Sequence, residues 1–514
     1  MTDEIVACDL ITNITAKERS LVELYSSRRP RQGPFYHQSI SAKFSRFDNE
    51  SDHDSSWQAH RFQVLILTFS GRPVYSRYGD EDQLGGLCGI LQSLFGQLGT
   101  AGDGAADVVK SIRSGKTSFY VLDKGPLLFV AIDKWGECLD LFFVDKLLNA
   151  VSRQLTCLLS SSALETLRAR PNFDLRSLTG GTKTCLGSLI SWLKRDVLTV
   201  FSFPVVEPLP LPPETRKSIG EAISASLPNC CLLALMISGH RLVSAVQSES
   251  WSKISIDAGD VHLLINFVLS SGSMRTAESW TPFCLPGLDE SAFVYIYVKF
   301  LTDATSTDQS LAFVFVSASP ESDNFFSLSG HAEKVQNELE KIGALGILRN
   351  TNPPISLQEV TQEENSSESA NFTRSYILSR IIHASIGLPG AGQFFSSKFQ
   401  VPNSRTVKAI VRGYCRAQEI LKTEPLPRQL WLTGNHEEFF YAQFVWCTND
   451  FELFITLPTG LPAAAVWVVY HWLKDNETSL FVPTKVPFKA STIAAPEPFR
   501  KKDSVFRKIS KAIF

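Results

Sequence analysis

At 514 residues, the chain has length for about three domains, each large enough to bury its own core. Hydrophobic residues make up 44% and charged residues 20%, a globular balance, and a net charge of −2 gives no overall attraction to nucleic acid, so any charge-driven binding must be local. Ten cysteines without a C-x-x-C pair, two of them adjacent at Cys230-Cys231, argue against a zinc site or a disulfide framework and for buried thiols in a reducing cytosol.

Residues 1–59 combine Arg28-Arg29-Pro30-Arg31 with Ser-rich and acidic segments and little periodicity, which predicts a flexible leader. Met1-Thr2-Asp3-Glu4 has no basic flank and no apolar run behind it, unlike a secretory signal. The following stretch, 60–98, predicts a strand, a tight turn, a second strand and an uncharged helix. Phe62-Gln63-Val64-Leu65-Ile66-Leu67-Thr68 is nearly continuously apolar, as in a strand covered on both faces. Ser70-Gly71-Arg72-Pro73 turns the chain into Val74-Tyr75-Ser76-Arg77-Tyr78, and Asp80-Glu81-Asp82 places negative charge where a helix N-terminus favours it. In that helix Leu84, Leu87, Cys88, Leu91, Leu94, Phe95 and Leu98 form one apolar stripe, while Gly85, Gly89, Ser93 and Gly96 share the other face. Each interior Gly costs roughly 0.8 to 1 kcal/mol relative to Ala. Three on one face predict close approach of another backbone: a helix packed on its own sheet by one side and on a partner by the other. The competing possibility is a central helix buried inside one domain.

Further on, 108–113, 117–122 and 127–132 predict strands, the last two joined by the turn Asp123-Lys124-Gly125-Pro126. Helical spacing runs over 139–159, and a second helix is expected at 163–167, bounded by Pro171. Strand, strand, helix, three strands, two helices is the longin (profilin-like) order. Pro204, Pro208, Pro210, Pro212 and Pro213 exclude helix interior and suit a linker or extended connection. The pattern then restarts with strands at 232–237 and 241–246. Asp257 is the expected N-cap of a helix burying Val261, Leu264, Ile265, Val268 and Leu269, followed by strands at 293–300 and 311–316 and a helix to about 345. A third copy is expected from a helix at 406–421, strands at 429–433, 439–446 and 451–457, a helix at 463–473 and a last strand at 480–482. The resulting fold class is α+β, three longin domains each built as an antiparallel sheet flanked by helices. Its expected division is a leader (1–59), a first longin domain (60–196), a Pro-rich connection (197–228), a second domain (229–350), an acidic Ser-rich linker (351–372), a third domain (373–484) and a basic tail (485–514). In the tail, Arg500, Lys501, Lys502, Arg507, Lys508 and Lys511 lie beside Val505, Phe506, Ile509 and Ile513, which suits either an anionic membrane surface or a solvated end.

Ser70-Gly71-Arg72-Pro73-Val74-Tyr75-Ser76-Arg77-Tyr78-Gly79-Asp80-Glu81 resembles the G-K-P-V-Y-S-R-Y-G-x-E signature of the SAND or Mon-one family, with Arg72 where Lys is usual. Asn172-Phe173-Asp174-Leu175-Arg176-Ser177-Leu178, Glu278-Ser279-Trp280-Thr281-Pro282-Phe283-Cys284-Leu285-Pro286 and Asn324-Phe325-Phe326 agree as well, and the resemblance extends over about 60–482. It implies a subunit of the Mon-Ccz guanine-nucleotide exchange factor for a Rab-seven-type GTPase, cytoplasmic and recruited peripherally to late endosome or lysosome. The first longin unit would pair with a Ccz-type longin subunit, Gly85, Gly89, Ser93 and Gly96 being the pairing face. Tyr75, Arg77, Tyr78, Asp80 and Glu81 are then candidates for contact with the Rab, with a core position as the alternative for Tyr75. An upstream Rab-five-type GTPase, an anionic or phosphoinositide membrane and a third regulatory subunit are the further partners implied. A longin-based effector, adaptor or tether, including the Fuzzy and Hermansky-Pudlak tri-longin subunits, is the alternative, since it needs the same platform.

Covalent chemistry has no clear seat in the sequence, and no metal or cofactor is expected. Thr179-Gly180-Gly181-Thr182-Lys183-Thr184 lacks the Gly that a phosphate loop needs before its Lys, and His436-Glu437-Glu438 lacks the second His of a zincin helix. Such a surface suits an exchange factor, which shifts an equilibrium by differential affinity and transfers no group.

Overall fold

A computed structural model describes residues 60–79, 84–100, 110–115, 117–134, 141–170, 182–301, 310–351, 356–357, 369–401, 404–421, 426–436, 439–483 and 488–489. The first unit comprises β1 (Phe62–Thr68), β2 (Pro73–Ser76), α1 (Gly85–Thr100), β3 (Ser111–Ser114), β4 (Thr117–Lys124), β5 (Leu127–Lys134), α2 (Leu141–Ala169) and α3 (Thr182–Arg195). After α4 (Val197–Ser202), the second holds α5 (Pro213–Ser224), β6 (Cys231–Ser238), β7 (Arg241–Val246), β8 (Ile256–Asp257), α6 (Ala258–Ser270), β9 (Ser279–Leu285), β10 (Asp289–Phe300), β11 (Leu311–Ser317), α7 (Ser322–Lys341) and α8 (Ala344–Asn350). The third holds α9 (Ser369–Arg380), β12 (His383–Leu388), β13 (Gln393–Ser396), α10 (Ser404–Leu421), β14 (Arg428–His436), β15 (Phe439–Cys447), β16 (Glu452–Pro458), α11 (Ala465–Asp475) and α12 (Glu477–Leu480). Finally β17 (Phe488–Lys489) returns to pair in parallel with β8.

All three main sheets are five-stranded and antiparallel, and their spatial orders, β2-β1-β5-β4-β3, β7-β6-β11-β10-β9 and β13-β12-β16-β15-β14, are the same permutation. This is the α+β, three-longin architecture that the repeating pattern predicts. Central strands are apolar on both sides because helices cover both faces: β1 and β11 are buried at every position. Asp257 caps α6 as expected, its carboxylate accepting the Gly259 N–H at 2.7 Å.

The units share one core. A single cluster joins α2 and α3 of the first unit to α6 of the second and α10 of the third, through Leu155, Leu189, Leu264 and Ile410. Helix α4 sits at this meeting point, where Phe201 lies 4.9 Å from the Phe454 ring and 6.0 Å from Tyr414. By contrast, α1 belongs to a separate small cluster on the outer face of the first sheet.

The Pro-rich segment is extended, but it is buried rather than a solvated tether. Val206, Leu209 and Leu211 are in the core. The Val206 N–H donates to the Gly392 carbonyl and the Phe394 N–H to the Val206 carbonyl; Leu209 and Leu242 exchange with the other sheet through Leu209 N–H to Leu242 O (2.8 Å) and Leu242 N–H to Glu207 O (2.9 Å). One extended segment thus stitches the β13 edge of the third sheet to the β7 edge of the second. Arg216, 3% exposed, clamps it by donating to the carbonyls of Leu209 (2.5 Å), Val243 (3.0 Å) and Ser479 (2.9 Å). Burial away from water pulls this guanidinium down to about 10.

First and second units meet across a polar seam. Arg153 of α2 donates to Asp260 Oδ1 from Nε (2.9 Å) and Nη2 (2.6 Å) and approaches Asp257 at 3.0 Å; the other Asp260 oxygen accepts the Gly287 N–H. Asn266 reaches Gln154 at 3.0 Å, and Trp192 is stacked between His240 and His262. Burial holds both imidazoles well below the usual histidine range, near 3 and 4, so they are neutral rings packed as aromatics.

The two helices expected at 139–159 and 163–167 are the two stretches of α2, parted at Ser160, whose φ of 63° is not helical. Other local expectations differ from the structure. Residues 480–482 do not form a strand; Leu480 ends the short helix α12 and Phe481 begins an extended segment. Strands β9, β12 and β13 were not expected from the pattern, although β9 carries the Trp280 segment. The leader 1–59, the tail from 490 and most of the acidic linker lie outside the described residues.

Candidate functional site

The hairpin of the first unit ends at a small polar knot. Gln63, buried in β1, donates through Nε2 to the Tyr78 carbonyl (2.7 Å) and the Ser76 hydroxyl (3.1 Å), while its Oε1 accepts the Tyr78 N–H (3.2 Å). Tyr78 stacks on His60 with centroids 3.6 Å apart, and the Arg77 guanidinium lies 5.0 Å from the Tyr78 ring while donating to the Ser191 hydroxyl. Arg77 and Tyr78 are half-buried and reach the surface beside α3. Tyr75 does not. It is only 4% exposed and belongs to the shared core, so the expectation of a surface contact there is corrected by the pleat, which turns it inward. Asp80 and Glu81 lie outside the described residues.

Helix α1 packs on the sheet through Leu84, Cys88, Leu91 and Phe95, against Leu65, Leu67, Val130 and Ile132. Desolvation pushes the Cys88 thiol up to about 11, so it is a neutral packing group. From Gly85 to Thr100 the helix has no charged residue. Its outward side differs from the expected Gly face. Leu94, placed by periodicity in the inward stripe, is 42% exposed, and Ile90 is 67% exposed, with Gly86 and Ser93 beside them. Gly85 and Gly89 form a half-buried flank. The backbone approaching Gly89 is the chain's own hairpin turn: Gly71 has φ +79°, and a Cβ there would come within 3.2 Å of the Gly89 Cα. Gly96 lies further along α1. Of the four expected pairing residues, Ser93 is therefore on the open face, while Gly85 and Gly89 border it.

The equivalent helices of the other units show what an α1 face can do. The outward side of α6 is covered by α2 and α3 through the Asp260, His262 and Asn266 seam. On α10 the outward side carries exposed Arg405, Arg412 and Arg416. Among the described residues, α1 alone of the three presents an exposed face with no charge.

Two segments of the sequence resemblance meet on the second sheet. Trp280 of the edge strand β9 lies 5.7 Å from Tyr295 and 6.3 Å from Phe325, and Phe325 touches Phe326, which is 68% exposed at the start of α7. Glu278 beside them pairs with Lys299 at 3.2 Å and accepts the Ser329 hydroxyl, which together hold its carboxyl below the usual range against the opposing effect of desolvation. Sequence distance concealed this convergence. The Asn172 segment and the tail cations Arg500, Lys501, Lys502, Arg507, Lys508 and Lys511 fall outside the described residues. Among the described residues no cluster is placed to hold a metal ion, and no helix is long and apolar enough to cross a membrane.

With the sheet permutation repeated three times and the α1 face open, the chain is a tri-longin protein. The model of the first longin domain of FUZ, MON1 and HPS1 matches residues 62–189, and that of the second matches 230–337. The chain is 29% identical over 471 residues to a vacuolar fusion protein MON1 homolog of Oryza sativa subsp. japonica, covering 84% of this chain and 77% of that one. It is 28% identical over 469 residues to the Arabidopsis thaliana homolog (86% and 73% covered), and 25% identical over 447 residues to the protein SAND of Takifugu rubripes (85% and 79%). The chain belongs to the MON1/SAND family.

Proposed function

We propose that this chain is one subunit of a heteromeric guanine-nucleotide exchange factor acting on a Rab-seven-type GTPase, and that α1 pairs its first longin unit with a Ccz-type longin subunit. The observation that carries this reading is the uncharged, exposed Gly86, Ile90, Ser93, Leu94 face of α1, which borders the Gly71 turn of the hairpin at Gly89. An apolar face with no charge is what a permanent interface buries. The two half-platforms together would offer a surface to the switch regions of the GTPase, with Arg77, Tyr78, Asp80 and Glu81 among the contacts. Exchange needs only tighter binding of the nucleotide-free form, so shape and a few polar anchors suffice.

The names of the relatives, vacuolar fusion proteins, support a place at the vacuole, lysosome or late endosome. Peripheral recruitment to an anionic or phosphoinositide membrane, contact with an upstream Rab-five-type GTPase and a third regulatory subunit complete the proposal. Its test is release of a fluorescent GDP analogue from a Rab-seven-type GTPase with this chain alone, with the Ccz-type subunit alone and with both. Acceleration only by both is the expected result. No acceleration by any combination, with retained binding to the GTP-loaded form, would replace the exchange reading with an effector or tether.

A further inference from the structure

We infer that the outer edge of β14 is a strand-addition site for an extended, uncharged segment of the longin partner subunit. The inference rests on the heterodimer proposed above and adds a second, separate contact to it. β14 pairs with β15 along all of Arg428–His436 and is the last strand of the third sheet. Between its terminal Arg428 and His436, Gln429-Leu430-Trp431-Leu432-Thr433-Gly434-Asn435 holds neither a charge nor a proline. Charges, prolines and short length are the usual means by which a sheet edge avoids pairing.

Every other edge of the three sheets is managed. β2 and β3 have four residues each, and β3 contains Arg113. β9 carries exposed Pro282. β7 and β13 are occupied by the chain's own Pro208 and Val206. Among the described residues β14 is thus the one long edge that is neither blunted nor covered. The stitch on β7 and β13 shows, within this molecule, that extended chain is what such an edge accepts.

One face of β14 is also bare. Leu430 and Leu432 pack on the shared core, whereas Trp431 on the opposite face is 44% exposed; further along that face Phe440, the partner of Asn435, is 57% exposed, and Trp467 of α11 is 45% exposed. Trp431 lies 4.8 Å from the Phe444 ring, and Trp446, which pairs with Gln429 of β14 on the same face, lies 5.4 Å from Trp467, so two ring pairs give this end of the edge an aromatic floor. An extended segment with apolar side chains at alternate positions satisfies both the backbone groups and this floor. A helix would cover the floor and leave the edge to water. The chain's own tail, with Arg500, Lys501, Lys502, Arg507, Lys508 and Lys511, is a poor match for an uncharged strip. Aromatic, uncharged surfaces are characteristic of constitutive interfaces, which favours the partner subunit over a transient peptide.

Hydrogen exchange read by mass spectrometry on the full chain, alone and bound to the Ccz-type subunit, tests the inference. Amides of 428–436 are expected to slow by about tenfold or more in the complex, in step with those of α1. The double variant Trp431→Lys, Thr433→Lys places cations on the exposed face without removing a ladder hydrogen bond; it is expected to abolish protection of β14, weaken pairing and leave α1 protected. A complex that forms with α1 protected and 428–436 unchanged overturns the strand addition and leaves the heterodimer standing. Two chains that do not associate overturn both. Protection already present in the chain alone also overturns it, and light scattering then tells a second copy from the chain's own segment.

Discussion

Replacing Ile90 and Leu94 by Ala tests the pairing face directly. Fully burying an Ile or Leu side chain is worth about 1.5–3 kcal/mol relative to leaving it exposed. In the isolated chain Ile90 still exposes 67% and Leu94 42%, so pairing has roughly one whole side chain of apolar surface left to remove from water. Allowing for the methyl groups that remain, the double variant should lose about 2 kcal/mol of pairing energy, roughly thirtyfold in Kd. Because both residues face outward, folding should change by no more than about 0.5 kcal/mol. The assay is titration of the Ccz-type subunit by calorimetry, with a urea unfolding curve of each variant as control. A change in Kd below about threefold at unaltered urea midpoint would refute the assignment of this face to pairing. So would a loss of pairing matched by a loss of stability, since that would place both residues in the fold.

Three other perturbations follow from particular contacts. Gly89→Leu adds a side chain where, among the described residues, nothing lies within 4 Å of a Cβ, at the border of the open face; co-purification with the partner should fail while circular dichroism stays native, and unchanged stoichiometry would count against the pairing reading. Gly413→Ala would drive a Cβ into the Gln443 amide, which donates to the Ile410 carbonyl at 2.8 Å, and should lower stability by about 1–3 kcal/mol in a urea titration, an unshifted midpoint meaning that the helix can lift away. Asp260 titrates near 6 because desolvation outweighs the attraction of Arg153. A raised folded value means that its contribution to stability is fully present below the ordinary carboxylate range and is lost as pH rises through 6, by about 2–3 kcal/mol. Asp260→Asn should remove that dependence, and parallel pH profiles for the two proteins would show that the seam does not titrate.

Much of the fold is legible in local pattern. The alternation of strand and helix spacings, the Asp257 cap and the turn residues at Gly71 and Gly125 each act over a few neighbours, so the repeat could be followed in the chain. Strands β12 and β13 escaped because His383, Ser385 and Ser396 sit inside them. All three are buried, and His383 reaches Tyr414 and Ser396 at 3.0 Å each, through partners that sequence proximity does not disclose. The Gly-rich face of α1 misled for a related reason. Periodicity locates a face, but Gly71 of a distant turn decides which part of it is covered. Tyr75, Arg153 and Asp260 likewise take their meaning from another element or another unit, and the convergence of Trp280 with Phe325 needs the whole second sheet.

The buried stitch through Val206 and Pro208 has a consequence for the order in which the molecule can be made. It emerges from the ribosome before either edge it will join: β7 follows within a few dozen residues, but β13 arrives only near residue 393. Until then the segment can satisfy one sheet and not the other, and contacts of such long separation form slowly. A fragment beginning at residue 229 would therefore lose a strand from two sheets at once, together with the Arg216 clamp, so the second and third units are expected to mature as a pair.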